Sequence, residues 1–273
     1  MNKYFNVTSI GYAHIESGKP CQDFSASYSD CRRTVITSCD GHGGEVYVRS
    51  DKGSRFASVA ALRAMLDLES LSFHKYSAEE IEHKLKLSIL CEWNKLVSRD
   101  LAIHPLRKKE LSSLNEEQIK ALKETPTKAY GTTLGAAMLL GNRLVCVTLG
   151  DGGCFLFKNG EISSPFPEDD DEPAANLTYS LCGEDAFAHM KARILDVGAW
   201  DGVLLCTDGV LGPYQSIENF KLSFVRPVVH RILEGDVDGV KSFVRELGAS
   251  RGSGDDVSLA MIVKNDTGIK DYQ

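Results

Sequence analysis

The sequence predicts an α+β fold built in layers, on two observations. Short strand-like runs gather at hairpin spacing in the middle of the chain, and the helical stretches come in separate blocks instead of alternating with the strands. A third observation bears on chemistry: three Asp-Gly steps close apolar runs, at Asp40, Asp151 and Asp208, and a fourth aspartate, Asp255, opens one.

Taken in chain order, residues 34–39 (Thr-Val-Ile-Thr-Ser-Cys) read as the first strand. Residues 45–68 have helical spacing at Val59, Leu62 and Leu66. Ser77-Ala78-Glu79-Glu80 has the form of a capping box, and Ile81, Leu85, Ile89, Trp93 and Val97 then repeat every four residues, which predicts a long amphipathic helix. A shorter helix is expected from Asn115 toward Lys123, stopped by Pro126. Strands follow at 134–140, 143–149 and 154–158. Asn142 and Asn159-Gly160 lie between them at turn positions, so residues 131–162 read as an antiparallel meander. Residues 165–175, with three prolines and the run Glu168 to Glu172, read as a solvated acidic loop or a flap beside the site that repels acidic substrates. Strands return at 203–207 and 257–263. Between them Val237, Val240, Phe243, Val244 and Leu247 form one helix face, with Asp236 as N-cap and Gly248 as stop.

The composition narrows the function classes. With 273 residues, 42% of them hydrophobic and 25% charged, one large domain over residues 1–273 is the simplest organisation. A formal net charge of -7 argues against general nucleic-acid binding, which clustered Lys and Arg carry. No apolar run reaches the ~18 residues of a membrane span, and residues 1–6 lack the apolar core of a secretory signal, so the expectation is a cytoplasmic protein with no membrane partner. The eight cysteines form no Cys-x-x-Cys and are expected as buried free thiols; none has arginine six residues later, which argues against a cysteine-nucleophile phosphatase.

The aspartates point to metal chemistry. If the strands share a sheet, their ends bring several carboxylates within ~4 Å, where each like-charge pair costs on the order of 4 kcal/mol at an effective dielectric near 20. Bound cations relieve that repulsion, and oxygen donors suit hard ions such as magnesium or manganese. Asp40, in Asp40-Gly41-His42-Gly43-Gly44, is the best candidate for a ligand shared by two divalent ions, since its glycines leave room for a backbone carbonyl and a bulky anion. Two such ions about 3.5 to 4 Å apart can bind phosphate oxygens and lower the pKa of a water, which makes water the nucleophile. His42 is then a candidate general acid for the leaving alkoxide. No Gly-x4-Gly-Lys-Ser/Thr loop, Gly-x-Ser-x-Gly elbow or His-Glu-x-x-His helix is present, which lowers the weight of nucleotide-driven and serine-hydrolase chemistry.

Together these residues resemble the metal-dependent, type 2C family of Ser/Thr protein phosphatases. The likeness runs from Gly11 to Val263 through Pro20-Cys21-Gln22-Asp23, the Asp40 block, Gly131-Thr132-Thr133, Gly150-Asp151, Thr207-Asp208-Gly209 and Gly254-Asp255-Asp256-Val257-Ser258. It implies a four-layer αββα sandwich, two antiparallel sheets flanked by helices, with two Mn2+ or Mg2+ ions at one end. By the same resemblance Asp40 bridges the ions, the Gly41 carbonyl and Asp23 serve one, and Asp208 and Asp255 serve the other. His42 matches the family's proposed acid, and Asp151 falls where the family has an aspartate at a third, weaker metal. The substrate would be a phosphorylated protein. Four positions depart from the family. Gln22 stands where a glutamate is frequent, which makes one water-mediated metal contact neutral. Gly212 replaces the second aspartate of Asp-Gly-x-x-Asp. Lys19, one place off the usual spacing, stands in for a phosphate-binding arginine and would hold phosphate as a point charge. Asp256 replaces an asparagine. Two alternatives remain open on sequence: a phosphoprotein-binding pseudophosphatase, and a hydrolase of a small phosphorylated metabolite.

Overall fold

A computed structural model describes residues 2–68, 72–166, 178–196, 200–264, 267, 268 and 272. In chain order the elements are β1 (Lys3–Ser9), α1 (Tyr12–Ser17), β2 (Phe24–Ser29), β3 (Arg33–Cys39), α2 (Ser50–Leu66), α3 (Ser72–Lys75), α4 (Ala78–Ile103), α5 (Glu116–Glu124), β4 (Leu134–Leu140), β5 (Arg143–Leu149), β6 (Gly153–Lys158), β7 (Glu161–Ser163), α6 (Ala186–His189), β8 (Lys191–Asp196), β9 (Gly202–Cys206), α7 (Asp208–Leu211), α8 (Ile217–Phe220), α9 (Arg226–Glu234), α10 (Val237–Leu247) and β10 (Val257–Val263). The strands form two antiparallel sheets of five, in the orders β1-β10-β9-β6-β7 and β2-β3-β4-β5-β8.

Strand alternation builds the layers. Along β10, Leu259, Met261 and Val263 face the helices α9 and α10, while Ala260 and Ile262 face the other sheet. Along β4, Ala136 and Met138 face α2 and α4, while Ala137 and Leu139 meet the opposite sheet. Every residue of β10 is fully buried because both of its faces are covered. The result is the αββα sandwich, α+β in class, with three cores between its four layers.

The strongest local signals are realised as expected. Ser77 and Glu80 make both halves of the capping box at α4, and Ile81, Leu85, Ile89, Trp93 and Val97 are its buried face. Asn115 caps α5 and Asp236 caps α10. Asn159 and Gly160 both take positive φ, 49° and 80°, as a tight hairpin turn between twisted strands requires.

Three expectations need correction. The eight cysteines are free thiols, but only Cys39, Cys146, Cys154 and Cys206 are buried, while Cys31 and Cys91 are exposed because they lie outside the core strands. The meander over 131–162 is not one sheet: β4 and β5 pair in one, β6 pairs with β7 and β9 in the other, and the chain crosses between them at residues 150–152. Hairpin spacing fixes each local pair but not which sheet the pair joins. The helix expected at 45–68 begins only at Ser50, because Arg49 is needed elsewhere: its N–H bonds Ala129 O at 2.8 Å and its buried guanidinium reaches Glu110. Its buried face is Ala57, Ala60, Ala61, Ala64 and Met65, with Val59, Leu62 and Leu66 only half-buried. A helix wedged between a sheet and α4 needs small side chains for close approach, so large apolar residues flank the contact. Strands β1, β2 and β8 are rich in polar residues and fall outside the apolar runs read as strands from sequence. The acidic run Glu168–Glu172 lies outside the described residues.

Candidate metal centre

The site sits where strand ends of both sheets meet. β3 delivers Asp40, the crossover after β5 delivers Asp151, β9 delivers Asp208 and the loop before β10 delivers Asp255. One oxygen each from Asp40, Asp151 and Asp208 lies within 4.8 Å of the others. Asp255 lines the same cleft but is exposed on its rim, and its carboxylate accepts the N–H of Asp256 at 2.8 Å. Asp23 lies beneath, 5% exposed, with Oδ2 accepting from the Thr207 hydroxyl at 2.7 Å. The cleft holds about 170 Å3 and is lined by five aspartates, His14, His42, Gln22, Thr178, Gly41 and Gly43.

The backbone around Asp40 is held from both sides. Thr133 N–H and the Thr132 hydroxyl donate to Asp40 O at 2.8 and 2.7 Å, and Asp40 N–H donates to Thr133 Oγ1 at 3.0 Å. This gives the Thr132-Thr133 pair its purpose. Gly41 follows in a squeeze: its N–H bonds Gln22 O at 3.1 Å, and a Cβ there would stand 2.5 Å from Ser50 O, so no side chain fits. Thr207 acts likewise for the second sheet, its hydroxyl reaching Asp23 while accepting Ser258 N–H at 3.0 Å. Thr178 donates to Asp151 Oδ2 at 2.5 Å.

The electrostatics are those of a site short of positive charge. Burial first, then the charges of Asp23 and Asp208, pushes the Asp40 carboxyl well above the usual range. Asp23 is raised by burial, with the Thr207 hydroxyl opposing and Asp256 and Asp208 adding to the rise, and burial also raises Asp208. Among the described residues no lysine or arginine lines the cleft. At an effective dielectric near 20, two carboxylates about 4.8 Å apart repel by roughly 3 kcal/mol. The carboxylates are hard, acceptor-only donors, and Gln22 Oε1 is a further buried oxygen without a partner. That donor set suits hard divalent cations, with Asp40, Asp151 and Asp208 as the tight group, Gly41 in the same lining and Asp255 on the rim.

The other expected residues fall as follows. His42 lines the cleft with its ring edge-on to Tyr47, centroids 4.9 Å apart; Nε2 is buried without a partner, and burial lowers its proton affinity against the opposing charge of Asp151. Lys19 is exposed, lies beyond the end of α1, and is not among the lining residues. Gln22 donates through Nε2 to His42 O at 3.2 Å and to Ser50 Oγ, so it braces the loop that follows Asp40. Asp256 is 3% exposed and accepts from Gly11 N, Gln22 N and His14 Nδ1, tying three segments together. Sequence reasoning missed His14, Thr178 and the clamping threonines. Only the threonines carried a signal, since they lie inside the quoted motifs.

The model of the protein phosphatase 2C family matches residues 10–245. Serine/threonine protein phosphatase PstP of Mycobacterium tuberculosis is 25% identical over 130 residues, a stretch covering 41% of this chain and 25% of that protein's length. Among solved structures, a bacterial serine phosphatase superposes with a TM-score of 0.61 at 14% identity, over 98% of this chain and all of that one (100%). The catalytic domain of PstP in complex with two manganese ions gives 0.56 at 18% identity over 96% and 97% of the two chains. Stp1 from Staphylococcus aureus gives 0.59 at 15% over 96% and 95%. At these identities the structural likeness is one of fold.

Proposed function

The chain belongs to the protein phosphatase 2C family, and from that premise we propose that it is a Ser/Thr phosphoprotein phosphatase dependent on Mn2+ or Mg2+. The observation that carries this reading is the convergence of Asp40, Asp151 and Asp208 within 4.8 Å in a cleft lined by no lysine or arginine among the described residues. Two cations would be held by Asp40 as the shared ligand, with the Gly41 carbonyl, Asp208 and Asp255, while Asp151 supplies the carboxylate of a third, weaker position. When bound, they would polarise phosphate oxygens and lower the pKa of a water enough to make it a nucleophile near neutral pH.

The chain's own residues do the rest. Thr132 and Thr133 fix the direction of the Asp40 carboxylate through its backbone. Thr207 holds Asp23, whose buried carboxyl meets Asp40 and feels the charge of Asp208 and would serve the same ion as the Gly41 carbonyl. His42, on the glycine-flanked loop after Asp40, would hand a proton to the leaving serine or threonine oxygen, a role supported by its position in the cleft lining. Among the described residues no cysteine lines the cleft, and burial raises the thiols of Cys39 and Cys206, next in sequence to its strand ends, well above the ordinary value.

The test is hydrolysis of an aryl phosphate and of phosphoserine and phosphothreonine peptides with Mn2+ or Mg2+, with chelator, and in Asp208→Asn. The expected result is turnover that chelator abolishes and Asp208→Asn greatly weakens, with peptides preferred. Activity that survives chelation would end this reading, and metal binding without turnover would support a phosphoprotein-binding role instead.

A further inference from the structure

His14 lies outside every motif that carries the family likeness, yet its ring lines the acidic cleft with Asp40, Asp208 and Asp255. The side chain is 13% exposed, and Nδ1 stands 2.8 Å from Asp256 Oδ2. Asp256 already accepts two backbone N–H groups, Gly11 on Oδ1 at 2.7 Å and Gln22 on Oδ2 at 2.6 Å. With a backbone N–H already donated to each oxygen, Asp256 faces His14 as an acceptor, and Nδ1–H is the donor of their contact. The ring is thereby fixed and Nε2 becomes its free edge, with no protein partner among the described residues. Helix α1 is bolted to the loop that carries Asp255, through Tyr12 N–H to Gly248 O and Ala13 N–H to Gly254 O, both 2.9 Å. His14 and Asp255 therefore keep a set spacing at the cleft.

The lining singles this residue out. A phosphate monoester brings about -1.5 to -2 charges into a cleft that already holds five aspartates. Only His14 and His42 among the lining side chains can carry positive charge. His42 keeps Nε2 buried, and Lys19 is exposed outside the lining. We infer that His14 contacts the substrate as an imidazolium held between two anions: Nδ1–H donates to Asp256, Nε2–H donates to a non-bridging oxygen of the bound phosphoryl group in the role that spacing alone assigned to Lys19, and Asp256 is the positioning residue that aims the ring. This deepens the phosphatase reading and rests on it.

Two measurements on the full chain test the assignment. In steady-state hydrolysis of an aryl phosphate with Mn2+, His14→Gln is expected to raise KM, and the inhibition constant of inorganic phosphate, by roughly ten- to a hundredfold, the range of one charge-assisted hydrogen bond, with a much smaller change in kcat. A purely structural role would lower the amount of folded protein and leave KM unmoved. Asp256→Asn should raise KM in the same sense while Mn2+ half-saturation stays near that of wild type. In the second measurement, the wild-type protein with MgCl2 is titrated with inorganic phosphate and the His14 imidazole resonances are followed. A saturable shift supports the contact and needs no variant that folds. A KM within twofold of wild type in His14→Gln, an absent imidazole shift, or a KM that rises in Lys19→Ala alone overturns it. If wild type turns over no phosphate ester, the phosphatase reading fails, and the imidazole titration still decides whether His14 binds phosphate.

Discussion

Two acid-rich clusters in this molecule treat their carboxyls in opposite ways. In the cleft, Asp23, Asp40 and Asp208 are driven up by burial and neighbouring carboxylates. Behind the same loop Arg49, 2% exposed, binds Glu110 at 2.6 and 3.0 Å, Tyr130 Oη at 2.6 Å and His104 O at 2.7 Å, while Lys52 reaches Asp100 at 2.9 Å. There the Glu110 carboxyl is held below its usual range, first by the Arg49 hydrogen bond. Asp100 is also lowered: burial opposes, but the Tyr130 hydroxyl and Lys52 outweigh it. One cluster carries its own cations and serves as a brace; among the described residues the other is lined by no lysine or arginine, as a site for cations from solution would be. The comparison teaches that a count of acidic residues says little, and that the identity of their neighbours decides between a structural knot and a metal site.

The largest way to break the contrast is to neutralise the cleft. Asp40→Asn is expected to lower Mn2+-dependent turnover by at least about a thousandfold, in line with loss of a shared metal ligand, and to abolish any rise in melting temperature on adding Mn2+. Metal-dependent stabilisation that persists in this variant would show that Asp40 is not a ligand.

Next in size is the brace itself. Arg49→Met leaves Glu110 and Asp100 without their buried partner and should destabilise by about 3 to 5 kcal/mol in urea unfolding, while Mn2+ half-saturation of the folded fraction stays unchanged. A loss below about 1 kcal/mol would show that the knot is dispensable.

The two clusters should also give opposite pH slopes in chelator. Carboxyls lowered on folding, as in Asp100 and Glu110, contribute stability fully present above the unfolded-state value of about 4 and lost as pH falls through their lower folded values. Carboxyls raised on folding, as in Asp40 and Asp208, favour the folded state at low pH and cost stability as pH rises from about 4 through their higher folded values. Urea midpoints of metal-free protein should therefore fall toward both ends of this range. Asp208→Asn should flatten the upper limb and Glu110→Gln the lower, and saturating Mg2+ should flatten the upper limb in wild type. An upper limb unchanged by Mg2+ would refute the link between repulsion and cation binding.

The smallest effect is expected at Thr178→Val. It removes one hydrogen bond to the exposed Asp151 and should weaken Mn2+ half-saturation by about tenfold or less, with kcat nearly unchanged. No change in Mn2+ dependence would place Asp151 outside the metal group.

Local signals made much of this legible. The capping box at Ser77, the Trp93 face of α4, the Asn159-Gly160 turn and the Asp-Gly strand ends each act within a few residues, so their outcome could be read directly. Asp40, Asp151 and Asp208 were named from such signals and do converge. Lys19 and His14 show the limit. Lys19 stood near the right spacing but lies beyond α1 and faces solvent, whereas His14 sits in a short helix with no periodicity to mark it, and its partner Asp256 is 242 residues away. The meander failed for the same reason: hairpin pairing is local, but the exchange of sheets at residues 150–152 depends on β9, which pairs with β6 from far along the chain.

By itself the sequence determined the strand ends, the helix caps and the acidic residues at those ends, because turn geometry, capping and period are properties of neighbouring residues. Only the tertiary structure decided which aspartates face one another, that Arg49 neutralises one cluster and not the other, and that His14 rather than Lys19 lines the cleft. Those outcomes depend on distances between segments that meet only when two sheets pack, and Coulomb repulsion and burial act through those distances, not along the chain.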